Sequence, residues 1–452
     1  MSVHSATLSP DEADVWAVLV SSLSTRDDGS GGDSGDDLVI DTTVVDLVDH
    51  FAVIDDPRHP SWVVHPLAAV LVLCSAAVVA GMRGFTAIAG WVTDTPPAML
   101  AGVYARCGKP PAVPSKSTIW QVVTRIDAAA LDAAVGLWLA ARADIDIAMD
   151  APEDGHGDDE QPGPAQPAEP ARAATPSDRQ QEEEEETTVG VPRVVLAVDG
   201  KRICGAKDAD GNAPHLLAAA THEQGLVLAQ IDVHHKTNEI PMFARLLDTI
   251  NIAGMLITAD CLHTQRKHAR YPHDRDADFV FCVKDNQPGL FAALDVLPWP
   301  DTPITHSVTS RGHGRIETRT LQVMPAPPDL PFPHVQQVFL VERAVTTTTG
   351  EPLSNVAILG VTSMNPNRGT PATIAQAVRG QWKIEVLHWL RDTVYREDDS
   401  TVHTGSGPRV MAALRNLAIG ALRLHGRNDI AEATRWATRN TARPFAILGL
   451  TP

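Results

Sequence analysis

Residues 193–201 read RVVLAVDGK, and residues 255–260 read MLITAD. Each is a short apolar run, and each stops at an aspartate. Such runs predict strands ending at Asp199 and Asp260. Around them, strands are expected at His215–Ala220, Leu226–Val233 and Phe279–Val283, and helices at Ile240–Ile250, Thr264–Tyr271 and Pro288–Leu297. That succession describes a mixed α/β sheet. Sites in open α/β sheets gather at strand ends. Two carboxylates there suit a hard divalent cation, which takes oxygen ligands. A third is expected if two ions are to serve phosphoryl transfer. By spacing alone, both aspartates fit caps or turn formers at least as well.

Downstream, residues 301–363 carry the β-type runs SVTSRGHGRIETRTLQV, VQQVFLVERAV and VAILGVTSM. The chain closes with helices expected at Ile374–Arg396, Pro408–Leu424 and Asp429–Asn440. Upstream, residues 39–148 read as helical. Their apolar run LAAVLVLCSAAVVAGM is about 16 residues long, where a bilayer span takes about 20. A buried helix is therefore expected. Another helix opens near Ser115 or Ser117, either of which suits an N-cap. Residues 1–38 are Gly/Asp-rich and residues 149–188 are Pro/Ala/Gln/Glu-rich; both are expected to be disordered. The α/β part then comprises 189–300 and 364–425, with 301–363 as a β-rich insertion and 426–452 as a C-terminal helix and tail.

The net charge of −19 argues against a nucleic-acid partner only until it is mapped. Residues 1–50 carry roughly −10 and residues 150–186 roughly −11, leaving about +2 for everything else. From residue 361 onward the chain is locally basic. The five cysteines include no CxxC pair, which speaks against a disulfide framework or a zinc knuckle and fits a reducing cytoplasm. No basic-then-apolar leader is seen, so no secretory signal is expected.

The segments AVDGKRICG, HHKTNEIPMFARLL, ITADCLHTQRKHA, FVFCVKDNQPGLF, GHGRIETR and RGQWKIEVLHWLRDTVYRED occur in this order between residues 197 and 398. They resemble the ISAs-type insertion-sequence transposases, also called H-repeat-associated proteins. DHFAVIDDPRHPSWVVHPLAAVLVLCSAAVVAGMRGFTAIAGW resembles that family's leader domain. The resemblance implies an RNase H-like catalytic domain with a DDE triad of Asp199, Asp260 and Glu385. It implies two Mg²⁺ ions on those residues, with Mn²⁺ as a substitute. It also implies double-stranded DNA as partner (terminal inverted repeats and target), a homodimer in the active complex, no membrane, and a place in the cytoplasm at the nucleoid.

The sequence also departs from relatives. The broader superfamily carries Tyr-x2-Arg-x3-Glu-x6-Lys around its third acid, and here Val378, Gln381, Glu385 and Asp392 stand at those positions. This motivates an alternative, a domesticated DNA-binding protein without catalysis. Arg396, three helical turns after Glu385, is expected on the same face as a substitute cation. Asp392 is a rival third acid.

DNA contacts or support of the site are expected from Lys201, Lys236, Asn238, Glu239, Lys284, Asn286 and Gln287 in the shared motifs. His313 and Arg315 of GHGRIETR are further candidates, since an arginine fork matches phosphate. Lys116 and Arg125 belong to the helix opening at Ser115, read as a recognition helix. Turn chemistry, solvated charge and an ordinary amphipathic helix account for the same residues. Trp382 and Trp389, on one helical face, are expected in the core. Trp299 is a candidate for holding a flipped base.

Overall fold

The computed structural model describes residues 46–147, 192–233, 237–312 and 314–450. The segments 1–38 and 149–188, and the residues Lys236 and His313, lie outside the described residues.

Six helices come first: α1 (Leu47–Ala52), α2 (Leu67–Val79), α3 (Phe85–Thr93), α4 (Pro97–Arg106), α5 (Lys116–Val123) and α6 (Ala128–Arg142). Side-chain caps set several starts. Asp46 caps α1, Asp127 caps α6, and Ser115 rather than Ser117 caps α5 through the Thr118 backbone N–H. Helix α2 is buried at every position. That explains its sequence, because a helix apolar all round belongs in a core. No helix among the described residues is long and apolar enough to cross a membrane.

The second part alternates as expected. It runs β1 (Val195–Arg202), β2 (His215–Thr221), β3 (Val227–Asp232), α7 (Met242–Leu247), β4 (Leu256–Ala259), α8 (Arg266–His273), β5 (Asp278–Val283) and α9 (Pro288–Asp295). Four longer strands follow: β6 (His306–Gly312), β7 (Arg315–Pro325), β8 (Gln337–Thr347) and β9 (Pro352–Thr362). The chain ends with α10 (Pro371–Gly380), α11 (Trp382–Thr393), α12 (Gly407–Leu424), α13 (Ile430–Thr438) and α14 (Ala442–Ile447). All nine described strands form one sheet in the order β3-β2-β1-β4-β5-β9-β8-β7-β6. β1, β4 and β5 are parallel, while β2, β3 and β9 run against their neighbours. Because β9 pairs with β5 from Val280↔Thr362 to Val283↔Leu359, the strands of 301–363 extend the main sheet.

The helical N-terminal region shares its core with this sheet. Asp132 of α6 accepts from Arg409 Nε of α12 at 2.6 Å and from Gln230 Nε2 of β3 at 3.0 Å. Helix α6 lies so close to β3 that a Cβ on Gly136 would sit 2.0 Å from the Leu228 carbonyl oxygen. A backbone atom cannot step aside cheaply. Gly136→Ala is expected to cost about 3 kcal/mol, read as a lowered midpoint in urea denaturation.

Two expectations need correction here. Trp299 is buried, and its Nε1–H donates to the Leu294 carbonyl at 2.8 Å, so it is a core residue and no base-holding surface. The basic C-terminal stretch is also less basic at its surface than its sequence. Arg391 and Arg415 are buried on Glu397, and Arg409 is buried on Asp132.

Candidate metal centre

Strands β1 and β4 run parallel with Val198 opposite Ala259. The next residues along, Asp199 and Asp260, therefore stand level; Asp260 follows the end of β4 as expected, but β1 runs on to Arg202, so Asp199 is paired with Ala218 inside its strand and not at the strand end that the sequence predicts. Asp260 Oδ1 accepts from the backbone N–H groups of Leu262 and His263, at 3.0 and 3.4 Å, and so caps a short turn.

The third carboxylate arrives by helix. The sequence predicts one helix over 374–396, but it breaks between α10 and α11. At the break stands Gly380, where a Cβ would come 2.1 Å from His222 Nδ1. Gln381 follows, and its two amide atoms clamp the start of α11 onto the sheet. Its Nε2 donates to the Val198 carbonyl at 3.1 Å, and its Oε1 accepts from the Thr258 hydroxyl. Both partners lie just ahead of the two aspartates. Glu385, one turn further on, is thereby carried toward Asp199 and the end of β4.

The three acids lie near enough to act on one another's charge, although among the described residues the one set of donors drawn within 4.8 Å of one another is His273, Asp274 and His334, away from them. Burial pushes the Asp199 carboxyl up to about 7; the Gly200 backbone N–H opposes this, and the charges of Glu239, Asp260 and Glu385 add to it. Glu385 is raised by burial and by Asp260. His388 Nδ1 lies 3.5 Å from Asp199 Oδ2. Burial, followed by Arg391 and Lys201, pushes this imidazole down to about 3, so it stays neutral. Carboxylates that raise one another in this way suit a hard divalent cation, whose charge relieves their repulsion.

The raised carboxyl has a measurable consequence. A folded pKa above the unfolded value means stability that is full below about pH 4 and lost as pH rises through about 7. In EDTA, wild type is expected to lose on the order of 2 kcal/mol relative to Asp199→Asn between pH 5 and pH 8. Melting curves of the two proteins across that range check this. Parallel curves would place the Asp199 pKa in the ordinary carboxylate range.

The remaining candidates fall in different places. Lys201, on the same face of β1 as Asp199, is 7% exposed and bound to Asp392 at 2.7 Å, with Asp398 at 3.7 Å. The Asn286 side chain donates to the Cys261 carbonyl, which packs the exposed Lys284 loop against the Asp260 turn. Gln287 donates to Gln265 at 3.2 Å. Asn238 is exposed, and its side chain accepts from the Ile240 N–H. Lys116 and Arg125 are exposed on α5 and the turn after it, and Arg315 is exposed at the tip of the β6–β7 hairpin.

Arg396 is not on the face of Glu385. Helix α11 ends at Thr393, and Arg396 adopts a left-handed conformation (φ 52°) with its guanidinium on Asp399. Trp382 and Trp389 are not in the core; they are 63% and 60% exposed, on either side of Glu385. Sequence reading missed His388, although three residues after Glu385 is one turn on the same face. It also missed that Gln381 replaces an arginine with a clamp.

The family model described as "Transposase DDE domain" matches residues 191–420, and the one described as "DDE_Tnp_1-associated" matches residues 48–139. The chain is 28% identical over 241 residues to "Putative transposase YncI" of Escherichia coli, covering 51% of this chain and 62% of that protein. It is 28% identical over 247 residues to "H repeat-associated putative transposase YhhI" of Escherichia coli, covering 50% of this chain and 64% of that protein. The chain thus spans less than two thirds of the length of these relatives. A cryo-EM structure of a piggyBac transposase synaptic complex with hairpin DNA aligns over 89% of this chain and 78% of that one. Its TM-score of 0.35 and 9% identity are too low to bear on the fold.

Proposed function

The chain belongs to the DDE transposase family, and from that premise we propose that it cuts DNA at the ends of a mobile element and joins those ends to a target. The observation that supports this is the level register of Asp199 and Asp260 beyond Val198 and Ala259, with Glu385 near enough to raise the Asp199 carboxyl. These residues would hold two Mg²⁺ ions, or Mn²⁺ in their place. Bound there, the ions supply Lewis-acid activation of the attacking and leaving oxygens. The strand order β3-β2-β1-β4-β5, with the third acid on a later helix, supports an RNase H-like reading of residues 189–300 and 364–425.

The first step is hydrolysis. A water oxygen bonds to phosphorus at the element boundary, the P–O3′ bond breaks, and the element keeps a 3′-hydroxyl while the flank keeps the phosphate. The second step is transesterification. That 3′-oxygen bonds to a phosphorus of the target and displaces the target's own 3′-oxygen. Residues 39–148 would bind the terminal repeats through Lys116 and Arg125. Lys284 beside the Asp260 turn and Arg315 at the hairpin tip would hold flanking phosphates. Trp382 and Trp389 offer ring faces to bases unstacked at the cut. Holding two ends at once calls for a homodimer, working on DNA in the cytoplasm.

The test is incubation of the full chain with duplex DNA carrying the gene's own flanking ends, in Mg²⁺ or Mn²⁺. Nicking confined to the element boundary is expected. Folded protein that binds these ends yet never cuts them would move the reading to a DNA-binding protein without catalysis.

A further inference from the structure

Asp199 has a fourth acid beside it. Glu239 precedes α7, and its two oxygens face two different histidines. Oε1 accepts from His215 Nε2 of β2 at 2.8 Å, and Oε2 accepts from His263 Nε2 at 3.2 Å. His263 is fully buried, and its backbone N–H is one of the two that cap Asp260. Its ring lies against Phe243 and His268, and its Nδ1 is buried with no hydrogen-bond partner among the described residues. On the other side, a Cβ on Gly200 would lie 2.1 Å from Glu239 Oε1. The carboxylate therefore fills the space that a glycine leaves open next to Asp199. One side chain touches the residue after the first acid and, through His263, the turn that carries the second.

We propose that Glu239 is a positioning residue of the metal centre, setting the separation of Asp199 and Asp260 through Gly200 and His263 and adding a negative charge that favours a divalent cation. The inference rests on the metal-dependent reading above. Burial alone would raise the Glu239 carboxyl, but the two histidines outweigh it and hold it at about 2, so it stays charged. Carboxylates that orient metal-binding groups without touching the metal are worth about 10–100-fold in metal affinity.

The experiment measures Mn²⁺ binding to the full chain by calorimetry, with melting in EDTA as a folding control. Glu239→Gln keeps the shape and removes the charge. It is expected to weaken Mn²⁺ binding about 10-fold or more while the metal-free melting temperature moves little. His215→Ala, at a side chain 30% exposed, is expected to weaken binding by a smaller factor. A Glu239→Gln protein that melts lower but binds Mn²⁺ like wild type has lost only structure, and that result overturns the proposal. If Glu239→Gln does not fold, His215→Ala decides: unchanged Mn²⁺ affinity overturns it. Folded wild type that binds no Mn²⁺ overturns the metal-dependent reading itself, and the proposal with it.

Discussion

Alanine at Asp199, Asp260 or Glu385, one at a time, is expected to reduce cleavage of element-end DNA by on the order of 10³-fold or more. In the proposed site the three carboxylates come from β1, from the end of β4 and from α11. Because they act as a unit, a double substitution is expected to be little worse than a single one. Asp392→Ala is the informative control. Asp392 lies two turns beyond Glu385 on α11, but its Oδ2 is bound to Lys201 at 2.7 Å, whereas Glu385 is raised by Asp260. Asp392→Ala is expected to retain cleavage within an order of magnitude of wild type. Nicking rates on a labelled duplex, with binding followed by mobility shift, separate the cases. Cleavage that survives Glu385→Ala and disappears in Asp392→Ala would reassign the third acid.

The largest effect on stability is expected at Glu397. Its side chain is fully buried; Oε2 accepts from Arg391 at 2.8 Å and Oε1 from Arg415 at 2.7 Å, with both arginines 1% exposed. Burial alone would raise this carboxyl, but the two guanidiniums outweigh it and hold it below the usual range. Glu397→Gln leaves two buried cations facing each other, at a cost of about 3–5 kcal/mol. The readout is the denaturant midpoint, or the loss of soluble protein. Replacing all three residues together by methionine and leucine is expected to cost much less, because no charge is then stranded. The pH dependence has a definite sign. A depressed carboxyl contributes stability that is present above the unfolded pKa and lost as pH falls through the folded one. Wild type is therefore expected to lose this contribution below about pH 4, and the triple substitution is expected to lack that part of the acid transition.

Much of this was legible in the sequence, and the gaps have physical causes. The runs before Asp199 and Asp260 are short, apolar and bounded, so their strands showed plainly. The all-apolar stretch around Leu67–Val79 announced a core helix for the same reason. The α10–α11 break did not show, because helical periodicity continues through Gly380; it is His222, just past the end of β2 and distant in sequence, that crowds the junction. Trp382 and Trp389 share a face at helical spacing, which reads as core. The face α11 actually buries carries Ile384, Leu387 and Leu390, and spacing alone cannot say which of two apolar stripes meets the sheet. Arg396 failed for a related reason: counting turns assumes a helix that continues, and this one stops at Thr393. The pairing of Lys201 with Asp392 joins residues 191 positions apart, beyond any local pattern.

The way β9 returns to β5 has a practical consequence. The excursion between these strands leaves and rejoins the sheet at one hydrogen-bonded edge, so its length does not enter the placement of Glu385. Its β8–β9 turn, at Thr348, Thr349 and Gly350, is exposed and tight. The entropy of closing a longer loop grows only slowly with its length. This turn is therefore the natural graft point for a passenger module that reads a chosen DNA sequence, an addition that would leave the placement of Asp199, Asp260 and Glu385 unchanged.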